Sequence, residues 1–254
     1  MRVATWNVNS IRARLPNVLR WLREFSPDIV LLQETKCLAE AFPYESIEEL
    51  GYNCVVHGQK TFNGVTILSR ERIEDVQLGL PTYSEDEQAR YIEAVTMGVR
   101  VASVYVPNGQ SVGSEKYEYK LCFFDRLRAH LSRQLTLEEL FVVGGDYNVA
   151  PSDLDVAEPD KWRGKILCSD QERSEYNGLL YLGYSDALRV LDPYSQKQSW
   201  WDYRSRAWEA QLGLRIDHLL LSPLACDRLK NAGIEAHVRG MDKASDHAPV
   251  WCEL

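Results

Sequence analysis

Short apolar runs in this chain break off repeatedly at a carboxylate, a carboxamide or an imidazole. Arg2-Val3-Ala4-Thr5-Trp6 ends on Asn7, and Ile29-Val30-Leu31-Leu32 ends on Gln33-Glu34. Leu140-Phe141-Val142-Val143 passes through two glycines into Asp146-Tyr147-Asn148, and Leu212-Gly213-Leu214-Arg215-Ile216 reaches Asp217. Ser245-Asp246-His247 opens a last run, Ala248-Pro249-Val250-Trp251. Runs of this length predict strands buried on both faces. Elsewhere the period changes. Ile11, Leu15, Val18, Leu22 and Phe25 share one helical face, with Pro16 expected in the first turn and Pro27-Asp28 as the stop. Residues 2–34 therefore predict a β-α-β unit. After a polar turn from Ser84 to Arg90, Tyr91–Thr96 and Val99–Val106 predict a hairpin closed by Met97-Gly98. Tyr117, Leu121, Phe124, Leu127, Leu131 and Leu135 predict a long amphipathic helix over 115–135. Residues 151–168 read as loop. Ser169-Asp170-Gln171-Glu172 fits a capping box opening a helix that ends near Gly183, and a short turn helix is expected near Leu224–Leu229. This order suggests two similar halves, although no clean internal repeat is present. Two packed mixed β-sheets with outer helices fit it better than one doubly wound sheet, and residues 1–254 are expected to form a single α/β domain.

If such strands end at one edge of a sheet, their terminal polar residues meet. Asn7, Glu34, Asp146, Asn148, Asp217, Asp246 and His247 would then form an oxygen-rich site with one imidazole, suited to a hard divalent cation and a water-activating reaction. Gly144-Gly145-Asp146-Tyr147-Asn148 is the sharpest local signal: the glycines would let the backbone pass close to a ligand, and Asp146 and Asn148 would share a side of an extended segment. Asp246 beside His247 would orient the imidazole. Asp217, amid apolar residues, must be functional or paired with Arg215. Tyr105 lies at another strand end, and Lys36 beside Glu34 suits a cation–phosphate environment. Trp200-Trp201-Asp202-Tyr203-Arg204 combines aromatic faces with a cation and would cradle a sugar or stack a base, with at least one Trp in the core.

Composition narrows the field. Hydrophobic residues are 45% and charged residues 26% of the 254, ordinary for a soluble globular protein. No stretch has the roughly 18 consecutive apolar residues of a membrane helix. The N-terminus enters a strand at once, so no secretory signal is expected. The six cysteines are scattered without zinc spacing and read as reduced core residues, which places the protein in the cytoplasm. The net charge of −8 argues weakly against nucleic acid, since a carboxylate-built site lowers the total and a bound cation reverses the local sign. Basic residues also cluster, at Arg12, Arg14, Arg20 and Arg23 and again at Lys197, Arg204, Arg206 and Arg215.

Six segments in order, Thr5-Trp6-Asn7-Val8-Asn9-Ser10, Leu32-Gln33-Glu34-Thr35-Lys36, Gly145-Asp146-Tyr147-Asn148, Ser199-Trp200-Trp201-Asp202-Tyr203-Arg204, Leu214-Arg215-Ile216-Asp217 and Ser245-Asp246-His247-Ala248-Pro249-Val250, resemble the exonuclease III family of bacterial DNA-repair nucleases. These belong to the endonuclease/exonuclease/phosphatase superfamily. The resemblance covers the whole chain. It implies a four-layer α/β sandwich and a Mg²⁺-dependent phosphodiesterase, with Mn²⁺ a possible substitute. Its partner would be double-stranded DNA with abasic sites or 3′ ends, trimmed 3′ to 5′, cleaned at blocked 3′ ends and incised 5′ to abasic sites. The residues carried over as metal ligands are Asn7, Glu34, Asp146, Asn148, Asp246 and His247. Tyr105, Asp146, Asn148, Asp217 and His247 are carried over as catalytic residues, and Lys36, Arg90, Trp200 and Arg204 as substrate contacts. Whether Asp146 or the His247–Asp217 pair is the base stays open, as does one metal against two.

The segment Asp160–Cys168 departs from the family. Bulky Ile166 and Leu167 would obstruct continuous duplex and bias the enzyme toward 3′ ends, unless both pack inward. Inositol-lipid phosphatases and sphingomyelinases share the metal site, but Trp200–Arg204 and the short, tail-free chain favour DNA. A binding protein with a dead site would need a lost ligand, and none is lost. A monomer is expected.

Overall fold

The computed structural model describes residues 1–81 and 86–254, so Ser84 and Glu85 of the expected polar turn lie outside the described residues. In chain order the elements are β1 (Arg2–Asn7), α1 (Ile11–Phe25), β2 (Ile29–Gln33), α2 (Tyr44–Glu48), β3 (Asn53–His57), β4 (Val65–Ser69), β5 (Glu74–Leu78), β6 (Tyr91–Thr96), β7 (Val99–Tyr105), α3 (Glu115–Leu135), β8 (Phe141–Asp146), α4 (Pro159–Trp162), α5 (Asp170–Tyr181), β9 (Ser185–Asp186), α6 (Ala187–Leu191), β10 (Asp217–Leu221), α7 (Pro223–Cys226), β11 (Asn231–Ile234) and β12 (Val250–Glu253). They form two six-stranded sheets, ordered β11-β12-β1-β2-β4-β3 and β5-β6-β7-β8-β10-β9. Each sheet holds one parallel pair bridged by a helix, β1–α1–β2 in the first and β7–α3–β8 in the second, with antiparallel neighbours outside it. The two halves expected from element order are therefore two sheets of matching order.

Side-chain alternation along the strands makes four layers. Val3, Leu31, Ile67, Val101, Val142 and Leu219 point between the sheets. The alternate set Ala4, Trp6, Val30 and Leu32 packs on Val18, Trp21 and Leu22 of α1. On the other flank Val104, Phe141, Val143 and Leu220 pack on Phe124 and Leu127 of α3 and on Tyr176 and Leu179 of α5. Each such large apolar side chain contributes about 1.5–3 kcal/mol on leaving water. The hairpin turn takes positive φ at both Met97 (53°) and Gly98 (72°), the twist that joins adjacent strands tightly. The capping box at α5 is formed by Ser169 and Glu172. All six cysteines are free thiols. No helix of the described residues is long and apolar enough to cross a membrane.

Four expectations are corrected. Pro16 sits inside α1 and not in its first turn, because main-chain bonds from Ser10 N to Glu34 O (2.7 Å) and Ile11 N to Thr35 O (3.2 Å) start the helix at residue 11. Asp217 opens an antiparallel strand instead of ending one, and the run 212–216 is loop. Arg215, 1% exposed, turns inward to Asp155 (2.6 Å) and Asp186 (2.7 Å), so it neither pairs with Asp217 nor belongs to a surface patch. Gly144 and Gly145 serve strand packing: a Cβ on Gly145 would lie 1.9 Å from Val104 O, and one on Gly144 2.6 Å from Leu219.

Candidate active site

The β1, β2 and β8 strands run to one edge and end there on Asn7, Gln33 and Asp146, and β10 starts there with Asp217 opposite Asp146. Tyr105 ends β7 in register with Asp146, and His247 precedes β12. Past these ends the backbone turns sharply, with positive φ at Asn9 (45°), Glu34 (52°), Lys36 (53°) and Asn148 (51°). Each such non-glycine residue costs of order 1–3 kcal/mol and persists only where its surroundings fix it.

Two sheets contribute to one hydrogen-bonded cluster. The Asn7 Nδ2 group donates to Glu34 Oε1 at 2.8 Å and to Asp146 Oδ2 at 2.9 Å, while its Oδ1 accepts from Asn9 N at 3.0 Å. Glu34 Oε1 also accepts from the Tyr105 hydroxyl at 2.8 Å, and Oε2 faces Lys36 Nζ at 2.6 Å. Burial would raise the Glu34 pKa, but Lys36, Asn7 and His247 outweigh it and hold the carboxyl below its usual range. The Tyr105 phenol is pushed far up by burial and by Glu34 and Asp146, so it stays a neutral donor. The Asp146 Oδ1 accepts from Asn148 N at 2.9 Å, and Oδ2 accepts from Asn148 Nδ2 at 3.2 Å.

His247 lies between two carboxylates. Its Nδ1 donates to Asp217 at 2.9 and 3.1 Å, and its Nε2 is 3.8 Å from Asp146 Oδ2. Burial opposes the imidazolium, but Asp217, Asp146 and Asp246 outweigh it and raise its pKa to about 10. Asp217 is itself held by Ser199 Oγ at 2.6 Å, and that hydroxyl accepts from the amides of Ile216 and Asp217. Asp246, the sequence neighbour expected to orient His247, instead accepts from Asn9 Nδ2 at 2.9 Å and Trp200 Nε1 at 3.0 Å. Consecutive side chains on an extended segment point apart, so the orienting role falls to Asp217.

The ligand atoms of Asp146, Asp217 and His247 lie within 4.8 Å of one another. Burial, Asp217 and Glu34 lift the Asp146 pKa to about 7 against His247 and Asn7, the sign of a site with surplus buried negative charge. Hard oxygen donors with uncompensated charge fit a divalent cation.

A cleft of about 390 Å³ opens over Glu34, Asp146 and His247. Trp200 forms a wall with Trp162, their rings 6.3 Å apart and nearly perpendicular, whereas Trp201 is core. Ile166 is half-buried along the cleft, but Leu167 is 3% exposed and packs on Ala150, Val156 and Leu214. Leu167 nonetheless lines the cleft beside Ile166. Arg204 folds back on Asp202 at the mouth, and Arg90 stacks over the Tyr105 ring (4.8 Å) toward a neighbouring hollow. Asn9 and Ser199 lie inside the family-like segments without a role assigned there, and Asn108 has none either, yet all three belong to the cluster. Asn108 Nδ2 donates to Asn148 Oδ1 at 3.0 Å. A polar residue just past a strand end was the available signal for it.

Residues 4–247 match the model of the Endonuclease/Exonuclease/phosphatase family. Exodeoxyribonuclease III of Haemophilus influenzae is 37% identical over 266 aligned residues, spanning 100% of both chains. The solved 3′ phosphatase NExo from Neisseria, bound to a product DNA hairpin, is 42% identical with a TM-score of 0.98, over 100% of this chain and 99% of that one. An AP endonuclease from Archaeoglobus fulgidus is 39% identical with a TM-score of 0.96, at the same coverage. Six ordered motifs, the paired sheets and the shared carboxylate–imidazole edge thus have one explanation: the chain belongs to the Endonuclease/Exonuclease/phosphatase family and, within it, to the exonuclease III group.

Proposed function

We propose that this protein is a Mg²⁺-dependent DNA-repair phosphodiesterase of exodeoxyribonuclease III type. It trims duplex DNA 3′ to 5′, cleans blocked 3′ ends and incises 5′ to abasic sites, as a cytoplasmic monomer. The observation that carries this reading is the pairing of Asn7-bridged Glu34 and Asp146 with a His247 held by Asp217 at the floor of one cleft. Mn²⁺ would serve in place of Mg²⁺.

Glu34 and Asp146 would hold the cation, with Asn148 and Asp246 beside them. When bound it neutralises carboxylate charge and polarises a phosphoryl oxygen. Asn7 keeps the two carboxylates together. With a carboxylate facing each ring nitrogen, His247 is a donor at both, so it contacts a phosphate oxygen and the Asp146 carboxylate accepts the proton of the attacking water. Asn148 and the Tyr105 hydroxyl supply further dipoles where charge develops on the phosphate. Trp200 walls the sugar, Lys36 and Arg90 contact the backbone phosphates, and Arg204 does so on leaving Asp202.

Two end-labelled duplexes test this, one with an internal abasic analogue and one with a recessed 3′ end. Each is incubated with the protein and Mg²⁺, with EDTA, and with Glu34→Ala. Metal-dependent cleavage lost in Glu34→Ala is expected, and the faster duplex names the main repair task. Intact DNA in every lane, with folded wild-type protein, would point to lipid phosphoesters or to binding alone.

A further inference from the structure

Lys120, in the second turn of α3, has no exposed surface. An ammonium is tolerated at that depth only where its donors are satisfied. Its Nζ donates to Asn148 O at 2.7 Å, to Asn108 O at 3.2 Å and to Glu172 Oε1. Glu172 is equally buried. Its Oε1 also accepts from Leu167 N at 3.0 Å, and its Oε2 from Ser169 N at 3.0 Å and Ser169 Oγ at 2.6 Å. One ion pair between α3 and α5 thus ties down three further stretches of chain: the segment after β7, the segment after β8 and the turn before α5.

These three stretches border the cleft. The two main-chain carbonyls taken by Lys120 belong to Asn108 and Asn148, whose carboxamides bond each other and reach Asp146. Strained backbone surrounds the pair, with φ of 51° at Asn148 and 73° at Leu167. A Cβ on Gly109 would lie 3.2 Å from Lys120 Cδ. Conformations of this kind need fixed partners to persist. An apolar side chain at 120 would fill the same space yet offer nothing to either carbonyl.

We propose that Lys120 and Glu172 are positioning residues for hydrolysis: without touching substrate, they fix the Asn108–Asn148 carboxamide pair and the Leu167 turn relative to Asp146. This rests on the nuclease reading above.

The test compares wild-type protein, Glu172→Gln and the neutral pair Lys120→Met/Glu172→Gln, which leaves no unpaired buried charge. The substrate is the 3′-recessed duplex with Mg²⁺, at a temperature below every unfolding midpoint. Glu93→Gln is the control. It weakens the buried Glu93–His130 contact, ten residues along α3 from Lys120. We expect kcat to fall about 10–100-fold in Glu172→Gln and in the pair, as for outer partners that orient ligands, with KM unchanged and Glu93→Gln at wild-type kcat. Wild-type kcat in a folded Glu172→Gln, or an equal fall in Glu93→Gln, overturns the proposal. Hydrogen exchange of the wild-type protein gives a reading independent of any variant's folding. The amides of Leu167 and Ser169 are expected to exchange as slowly as those of β8, and loop-like exchange overturns the proposal. No cleavage by the wild-type protein would instead remove the nuclease reading, and the positioning role with it.

Discussion

Asp217→Asn removes the charge behind the His247 contact while the side chain keeps its shape, one acceptor oxygen giving way to an NH2 donor. The carboxylate is 2.9 Å from Nδ1, against 3.8 Å between Nε2 and Asp146. At an effective dielectric of about 20, these separations correspond to Coulomb terms of roughly 6 and 4 kcal/mol, as ceilings. The substitution removes the larger one. Burial already disfavours the imidazolium, so its proton is then lost at lower pH and the alkaline limb of activity moves down from about 10. If about half of the lost term appears in the transition state, kcat falls roughly 10²-fold, or about 3 kcal/mol at 1.36 kcal/mol per decade. KM stays near the wild-type value, since the carboxamide oxygen can still accept from Nδ1 and Trp6 Nε1 donates to the His247 main-chain carbonyl at 3.1 Å, fixing the backbone that carries the ring. Steady-state kinetics on the 3′-recessed duplex from neutral to alkaline pH would measure both. A folded Asp217→Asn with kcat within threefold of wild type and an unmoved alkaline limb would refute the electrostatic argument.

Ser199→Ala, which removes the 2.6 Å bond to Asp217, is expected to lower kcat by roughly tenfold or less, about 0.5–1.5 kcal/mol, and a fall as deep as that of Asp217→Asn would contradict this ordering. Gly145→Ala places a Cβ 1.9 Å from Val104 O, so calorimetry should show about 3 kcal/mol or more of lost stability, and an unchanged midpoint would mean the strands can part. Asp186 is buried, which alone would raise its pKa, but Arg215 and His218 outweigh burial and depress it. Its stabilisation is therefore complete above the unfolded value near 3.9 and is lost as pH falls through and below it, so Asp186→Asn should flatten the acid limb of stability while lowering the neutral plateau by about 3–5 kcal/mol. An acid limb as steep as wild type, by urea unfolding at several pH values, would exclude Asp186 as a source. Ile166→Ala should raise abasic-site incision relative to 3′ trimming, and an unchanged ratio would show that this half-buried side chain does not select substrate.

What the sequence made legible was local. The runs that became β1, β2, β8 and the β6–β7 hairpin announce themselves because both faces are buried. The Ser169–Glu172 box is written in four adjacent residues. The β5 strand, exposed along its whole length, carries no periodic burial signal, and β3 is an edge strand that is only half-buried. Long-range register is where reading by adjacency failed. Asp246 is next to His247 in the chain, yet Asp217 reaches the imidazole because β10 pairs with β8 so that Asp217 faces Asp146. Arg215 looked like a partner for Asp217, but that pairing could not anticipate Asp155 and Asp186, which approach from sixty and twenty-nine residues away. The paired glycines suggested a ligand, and the packing of β8 on its neighbours uses them instead.

Asn7, Glu34 and His247 come from one sheet, and Tyr105, Asp146 and Asp217 from the other. The candidate reaction centre is therefore a seam, owned by neither sheet. Slippage of one sheet over the other would dismantle it even with every strand intact. Thermal inactivation should consequently track opening of the sandwich rather than melting of any single element, and residues 74–221 expressed alone, which carry the second sheet without Asn7, Glu34 and His247, would retain no hydrolysis. Two sheets of like strand order have in this way made the chemistry a report on their union.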